Sequence, residues 1–165
     1  MAYIKLLRPK DWAKNCFLFI PLFFAGEISN TDKILQIIWG FIAFSCIASS
    51  IYILNDYRDI EDDRKHPVKS KRPLASGAVS KSVALVIAAV LIIGGFTLAW
   101  FIRDKFLFVL GIYFLINLGY SFGLKTVPIL DIFLLAIGFV LRVKAGSVIA
   151  VIPLSEWIVI MVFLL

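Results

Sequence analysis

The sequence predicts an all-α fold, a polytopic transmembrane helical bundle around a polar cavity that faces the cytoplasm. Three observations predict it. Hydrophobic residues make up 61% of the 165, mean hydropathy is +0.96 and only 17% are charged, whereas soluble domains run about 45–50% apolar and about 25% charged. A chain this small cannot bury that much apolar surface in one core. Apolar runs of membrane length recur along the chain, and the basic residues between them fall almost entirely on one side. Disorder is excluded by the hydrophobicity. A disulfide scaffold is excluded by the cysteines, Cys16 and Cys46, each read as a small buried hydrophobe in an apolar run. The net charge of +6 reads as a topology signal rather than as a nucleic-acid surface.

The elements follow in order. A span needs about 20 mostly apolar residues. The run Cys16 to Gly26 is shorter and holds Pro21, so it reads as a kinked span that begins near Trp12. Ile34–Leu54, Val83–Ile102 and Phe106–Leu124 are free of charge, and Ile132–Val151 carries Arg142 and Lys144. Val148–Leu165 is interrupted by Pro153 and Glu156. The total is about five to six spans. Trp12, Trp39, Trp100 and Trp157 lie near run ends, as interfacial anchors do. Gly94-Gly95 and Gly119-xxx-Gly123 read as close helix contacts.

With alternating spans, one side holds Lys5, Arg8, Lys10 and Lys14, the basic residues from Arg58 to Lys81, and Lys125. The other side holds Lys33, Arg103 and Lys105. The bias places the N-terminus and the 55–82 loop in the cytoplasm of a multi-pass protein of a bacterial-type inner membrane. Residues 1–165 form a single domain by this reading. The apolar stretch Trp157–Leu165 has no charged flank, so the chain reads as the N-terminal portion of a longer protein.

The second span ends in Asn55-Asp56-Tyr57-Arg58-Asp59-Ile60-Glu61-Asp62-Asp63-Arg64. Continued as a helix from Asp56, Asp59 falls at about −60° and Asp63 at about −20°, with Glu61 at about +140° and Asp62 at about −120°. Asp56, Asp59 and Asp63 therefore share one face. Like charges at this spacing repel, and hard oxygen ligands suit Mg²⁺, which commonly bridges carboxylates to substrate phosphates. A solvated charged loop, its acids paired to Arg58, Arg64 and Lys65, is the alternative.

Lys69, Lys71 and Arg72 follow within ten residues of the acids. Metal and basic side chains so close together would divide the oxygens of a phosphate between them; attachment to anionic lipid is the other reading. His66, the single histidine, reads as a bystander. Tyr120 and Lys125 close the fourth span, and Asp131 falls in the first turn after Pro128. Arg142 lies on the same face as Asp131, about three turns or about 16 Å further on. A charge at that depth must face a polar cavity or a partner, or else snorkel outward as Lys144 would. Asn117 is a further polar group inside a span.

These residues resemble a known family. Asn55-Asp56-x-x-Asp59-x-x-x-Asp63 looks like the first aspartate-rich motif of the UbiA superfamily of intramembrane prenyltransferases, and Tyr120-x-x-x-Leu124-Lys125 is similar to its tyrosine–lysine element. Three further stretches resemble the decaprenyl-phosphate phosphoribosyltransferase branch. They are Arg8-Pro9-Lys10-Asp11-Trp12-Ala13-Lys14-Asn15, Arg64-Lys65-His66-Pro67 through Lys71-Arg72-Pro73-Leu74-Ala75-Ser76-Gly77, and Pro128-Ile129-Leu130-Asp131 through Arg142 to Gly146.

The resemblance implies about nine transmembrane helices of bilayer length, a second acidic motif in a later loop, and a chain roughly twice as long. It implies Mg²⁺ held by Asp56, Asp59 and Asp63, with Asp56, Asp59 and Lys125 in catalysis. It implies substrate contacts from Asn55, Arg72, Lys71, Tyr120, Lys125, Asp131, Arg142, Arg8 and Lys14. The partners implied are a diphosphate substrate and a polyprenyl lipid, within membrane lipid. The reaction is transfer of phosphoribose from phosphoribosyl diphosphate to a polyprenyl phosphate. Its rival is transfer of a polyprenyl chain to an aromatic acceptor such as 4-hydroxybenzoate. A transporter, or a lipid-binding scaffold without turnover, would also place ionisable groups in a cavity. A transporter does not need three in-phase aspartates at a helix mouth beside a basic loop, and no inverted repeat is visible; Mg²⁺-dependent diphosphate release separates an enzyme from the scaffold.

Overall fold

The computed structural model describes residues 2–121 and 128–164. Every regular element among the described residues is helical. Helix α1 (Ala2–Leu7) leads into a 3-10 segment (Pro9–Phe19) and α2 (Ile20–Phe24). Then come α3 (Thr31–Arg58), α4 (Ile60–Lys65), a single 3-10 turn (Lys69–Lys71), α5 (Lys81–Ile102), α6 (Asp104–Ser121), α7 (Pro128–Ala150) and α8 (Glu156–Leu164). Helices α3, α5, α6 and α7 are each long and apolar enough to cross a membrane. They answer to the four long apolar runs, although Phe122 to Leu124 of the run closing at Leu124 lie outside the described residues.

Local chemistry sets the boundaries. The Asn30 side chain accepts from the Lys33 backbone N–H at the start of α3, and Ser80 does the same for Val83 at the start of α5. In the turn before α3, Glu27 accepts from Lys33 at 2.8 Å and from Asn30 at 3.2 Å. Those bonds hold the Glu27 carboxyl below its ordinary range. The chain leaves α7 through Val151, whose φ of 57° is a left-handed conformation uncommon for a β-branched residue. Residues 151–155 separate α7 from α8, so the interruption read at Pro153 and Glu156 is a helix break.

Helix α3 is the most enclosed of the four long helices. Its Phe44, Ile47 and Ile51 pack against Leu110 and Tyr113 of α6 and Ala145 and Ile149 of α7, with Leu18 and Leu22 closing the side. A second apolar cluster lies at the other end of α3. There Ile53 and Ile60 meet Leu6, Leu74, Val79 and Ala84, which ties α1 and the 66–80 loop to the bundle. The outer faces stay apolar, with Trp39, Phe101, Phe108 and Trp157 exposed, as a helix facing lipid tails requires.

The N-terminal segment departs from a kinked α-helix. It is an eleven-residue 3-10 helix, long for a geometry whose runs seldom exceed three or four residues. With three residues per turn, positions i and i+3 eclipse, so Trp12, Asn15 and Leu18 form one row. Trp12 Nε1 donates to Ser49 Oγ at 2.9 Å, and Asn15 Nδ2 donates to Ser45 Oγ at 3.0 Å. Trp12 thus joins two helices instead of anchoring at an interface. Leu18 lies against Gly146 of α7, where a Cβ would stand 1.9 Å from the Leu18 carbonyl oxygen. Gly95 likewise lets α5 approach Ala43 and Ile47, whereas Gly94 faces open space and Gly123 lies outside the described residues. Cys46 is half-buried, but Cys16 is exposed, because it lies off the buried row of the 3-10 segment.

Gly146→Ala forces backbone of the 3-10 segment away from α7. The expected loss is about 1–3 kcal/mol or more, read as a lower apparent Tm in detergent, while Gly94→Ala leaves the Tm within about a degree because nothing lies near it.

Candidate active site

Two polar assemblies are built at and beneath the C-terminal end of α3. The first is a carboxylate–guanidinium knot. Asp56 and Asp63 are 2% and 3% exposed. Arg72 Nη1 donates to Asp56 Oδ1 at 3.1 Å and to Asp63 Oδ2 at 2.7 Å, and Arg8 Nη2 donates to the same Asp56 Oδ1. Buried carboxylates demand such partners. The loop is held so that Arg72 can serve. Leu74 and Val79 sit in the second apolar cluster, and Arg64 Nε donates to the Ala75 carbonyl at 3.2 Å. Arg8 is held by its own left-handed turn, φ 51°, between α1 and the 3-10 segment, with its guanidinium 5.0 Å above the Tyr52 ring.

The helix does not run unbroken through the acidic motif. α3 ends at Arg58, Asp59 takes φ −89° and ψ 11°, and α4 begins at Ile60. The bonds Asp59 N–H to Asn55 O and Asp63 N–H to Asp59 O carry the chain across this break. Asp56 and Asp63 meet at one guanidinium, and Asp59 lies at the break between the two helices. Among the described residues no three His, Cys, Asp or Glu side chains gather closely enough to hold a metal by themselves. Of the three carboxylates read from helical phase, Asp56 and Asp63 meet around Arg72, and half-buried Asp59 stands at the break.

The second assembly is a cavity of about 420 Å³ between α3, α6, α7 and the 3-10 segment. Its polar wall includes Asn55, Asn117, Tyr120, Arg142 and Lys14, and its apolar wall includes Ile51, Leu134 and Phe139. The acids expected on these walls are absent from them, because the knot holds Asp56 and Asp63 on the side facing Arg8 and Arg72. Asn55 links the two assemblies: it is next to Asp56, it lines the cavity, and its Oδ1 is buried without a hydrogen-bond donor.

Arg142 lies at the inner end of the cavity, 6% exposed. Nε donates to Asn15 Oδ1 at 2.9 Å, Nη1 to the Gly138 carbonyl at 2.8 Å and Nη2 to the Tyr113 hydroxyl at 2.9 Å. The rings of Phe44, Tyr113 and Phe139 stand 5.4, 4.9 and 5.4 Å from the guanidinium carbon. Arg142 therefore faces inward and does not snorkel. Lys144 is exposed and belongs to a different cavity. Nearer the mouth, the Asp131 carboxylate stands against the Tyr120 hydroxyl, with its Oδ1 buried and unpartnered. Two tyrosines two turns apart on α6 thus bind two charges on α7.

The remaining residues divide simply. Lys14 lines the cavity and pairs with Asp11 at 3.1 Å. Lys71 is exposed in the 3-10 turn. His66 Nδ1 accepts from the Val68 and Lys69 backbone N–H groups, which makes it a turn residue. Lys125 and Leu124 lie outside the described residues. Sequence reasoning missed Asn15, Tyr113, Phe44 and Phe139 as the holders of Arg142. The available signal was the three-residue spacing of Trp12, Asn15 and Leu18.

Comparison with known proteins now decides the family. The sequence profile of the UbiA prenyltransferase family matches residues 16–165. The chain belongs to that family. The decaprenyl-phosphate phosphoribosyltransferase of Mycolicibacterium smegmatis is 39% identical over 158 residues, which cover 93% of this chain and 50% of that protein. The Corynebacterium glutamicum protein of the same name is 41% identical over 158 residues, 93% of this chain and 48% of its own length. The chain thus spans about half the length of the curated relatives it matches. A UbiA homolog from Archaeoglobus fulgidus bound to GPP and Mg²⁺ superposes with a TM-score of 0.83 at 25% identity, covering 99% of this chain and 59% of that one. The UbiA bundle is therefore the architecture in which the knot and the cavity sit.

Tyr113→Phe keeps the ring but removes one acceptor from the Arg142 guanidinium. The expected cost is about 1–3 kcal/mol, seen as a lower apparent Tm, while Tyr57→Phe, an exposed tyrosine, leaves it unchanged.

Proposed function

We propose that the protein is a Mg²⁺-dependent membrane transferase that moves phosphoribose from phosphoribosyl diphosphate to a polyprenyl phosphate such as decaprenyl phosphate. The observation that carries the reading is Arg142. It is a buried full cation whose hydrogen-bond partners are all neutral. It lines the same cavity as Asn55, beside the carboxylate knot. A cation so placed attracts an anion. A second anion site besides the one at the knot suits a reaction with two anionic substrates. The curated relatives named decaprenyl-phosphate phosphoribosyltransferase support the same branch.

The residues at the mouth of α3 fit a divalent cation. Two carboxylates converge on a single cationic nitrogen, and Asn55 keeps a buried carbonyl oxygen without a donor. Asp56 and Asp63 would hold Mg²⁺, with Asp59 and Asn55 beside them. When bound, the ion supplies charge that stabilises a leaving diphosphate. Arg72, Arg8 and Lys71 then turn their guanidinium and ammonium donors to diphosphate oxygens, joined by Lys125. Arg142 and Lys14 hold the second anionic group, and Tyr120, oriented by Asp131, borders the path between the two. An oxygen of the lipid phosphate attacks C1 of the ribose. The C1–O bond to diphosphate breaks, and its electron pair leaves on the diphosphate. The apolar wall at Ile51, Leu134 and Phe139 keeps water from competing for C1. The chemistry takes place at the cytoplasmic end, on the positive-inside argument.

Transfer of a prenyl chain to an aromatic acceptor is the second reading. The aromatic and aliphatic lining of the cavity and the GPP-bound neighbour favour it. Two reactions on the full-length natural protein in detergent with Mg²⁺ separate them. Phosphoribosyl diphosphate with a polyprenyl phosphate should release diphosphate and yield a phosphoribosyl lipid, and Asp56→Asn should lower that rate at least about a hundredfold. Turnover only with a polyprenyl diphosphate and 4-hydroxybenzoate would overturn the phosphoribosyl reading.

The metal is tested without turnover. In Mg²⁺-free buffer Arg72→Gln leaves Asp56 and Asp63 facing each other and lowers the apparent Tm. Added Mg²⁺ should raise the Tm of Arg72→Gln more than that of the wild type. Equal shifts would place the ion elsewhere.

A further inference from the structure

A second cavity, of about 690 Å³, opens at the end of the bundle remote from the acidic motif. It is lined where α5 passes into α6 and where α7 leaves into residues 151–153. Arg103, Lys105 and Lys144 border it together with a single carboxylate, Asp104. Among the described residues, none of these three cations has an ion pair. Lys33, the other basic residue toward this end, is occupied by Glu27 at 2.8 Å. Lys144 lies inside a membrane-length helix, about 9 Å before its end. Phe108, Val109 and Val148 stand around it. The Ser147 hydroxyl, which also lines the cavity, donates to the Ile152 carbonyl at 2.7 Å and brings no negative charge to it. Arg103 and Lys105 are exposed at the bundle end and Lys144 lies inside the span, so three cations against one carboxylate give the cavity an excess of positive charge that attracts an anion, most strongly at the depth of Lys144.

We propose that this cavity seats the phosphodiester headgroup of an anionic glycerophospholipid from the leaflet opposite the acidic motif. Arg103 and Lys105 sit at the bundle end, where a headgroup lies, and Lys144 reaches up to it from within the span. The apolar wall suits the first methylenes of an acyl chain, a contact that a free phosphate does not use. The left-handed turn at Val151 folds residues 151–153 back to close one side. The site is remote from the carboxylate knot, so it binds a structural lipid and not a substrate.

The test uses the delipidated full-length natural protein in detergent, titrated with dioctanoyl phosphatidylglycerol and read by tryptophan fluorescence. Trp100, exposed near the end of α5, is close to the site in sequence. Saturable binding is expected. Lys144→Gln and Arg103→Gln should each weaken it roughly tenfold. Lys105→Gln is the second surface variant should either fail to fold. Lys81→Gln, at the opposite end of α5, should bind as the wild type does, and transferase turnover should be unchanged in all four. No binding by the wild type, equal binding of dioctanoyl phosphatidylcholine, or affinity unchanged in the cation variants would overturn the proposal. Binding of inorganic phosphate with the same variant dependence would overturn the lipid assignment.

Discussion

A full positive charge is held inside the bundle by neutral groups, and the architecture around the cavity follows from holding it. Arg142 takes an amide oxygen from the 3-10 segment, a hydroxyl from α6 and a carbonyl from its own helix. Aromatic faces from α3, α6 and α7 surround it. Four elements are therefore brought to one point, and their geometry leaves the cavity between them. Hydrogen bonds and aromatic faces stabilise the guanidinium without neutralising it. The charge remains available to the cavity, which an Arg–carboxylate pair would not allow.

The knot at the end of α3 solves the opposite problem. There the excess charge is negative, and it is offset by arginines from two distant parts of the chain. Neither arginine is free to drift, because each is carried by a backbone anchored in the second apolar cluster. Leu6 lies just before Arg8, and Leu74 just after Arg72. A polar loop that reads as solvated is thus fixed from below by buried leucines. Its register decides which basic side chain reaches the acids.

Much of this was legible in the sequence, for a definite reason. Long apolar runs, three of them free of charge and the fourth carrying only Arg142 and Lys144, have few alternatives to spanning helices, so α3, α5, α6 and α7 emerge from composition alone. Arg142 stands out because charge at membrane depth is rare, Asp56 and Arg72 because acids and bases crowd the loop after the second span, and Arg8 through the resemblance of its flanking residues to the family. The finer geometry was not legible. Helical phase assumes an unbroken helix, and the turn at Asp59 interrupts it. The partners of Arg142 are a short polar residue in the 3-10 segment and ordinary aromatics, none of which looks unusual until the segments meet. Whether Lys144 turned inward or outward depended on the same packing.

The 3-10 segment has one more consequence, which concerns length. A 3-10 helix rises about 2.0 Å per residue against about 1.5 Å for an α-helix. Eleven residues of the first and five of the second, laid end to end, reach about 30 Å, the thickness of a hydrocarbon core. Sixteen residues then do the work of about twenty. Stretching the winding gives a run that looks short by residue count a longer reach, and the stretched winding is also what lines up Trp12, Asn15 and Leu18. Reach and recognition are here one property of the backbone, so an inserted residue would disturb both at once.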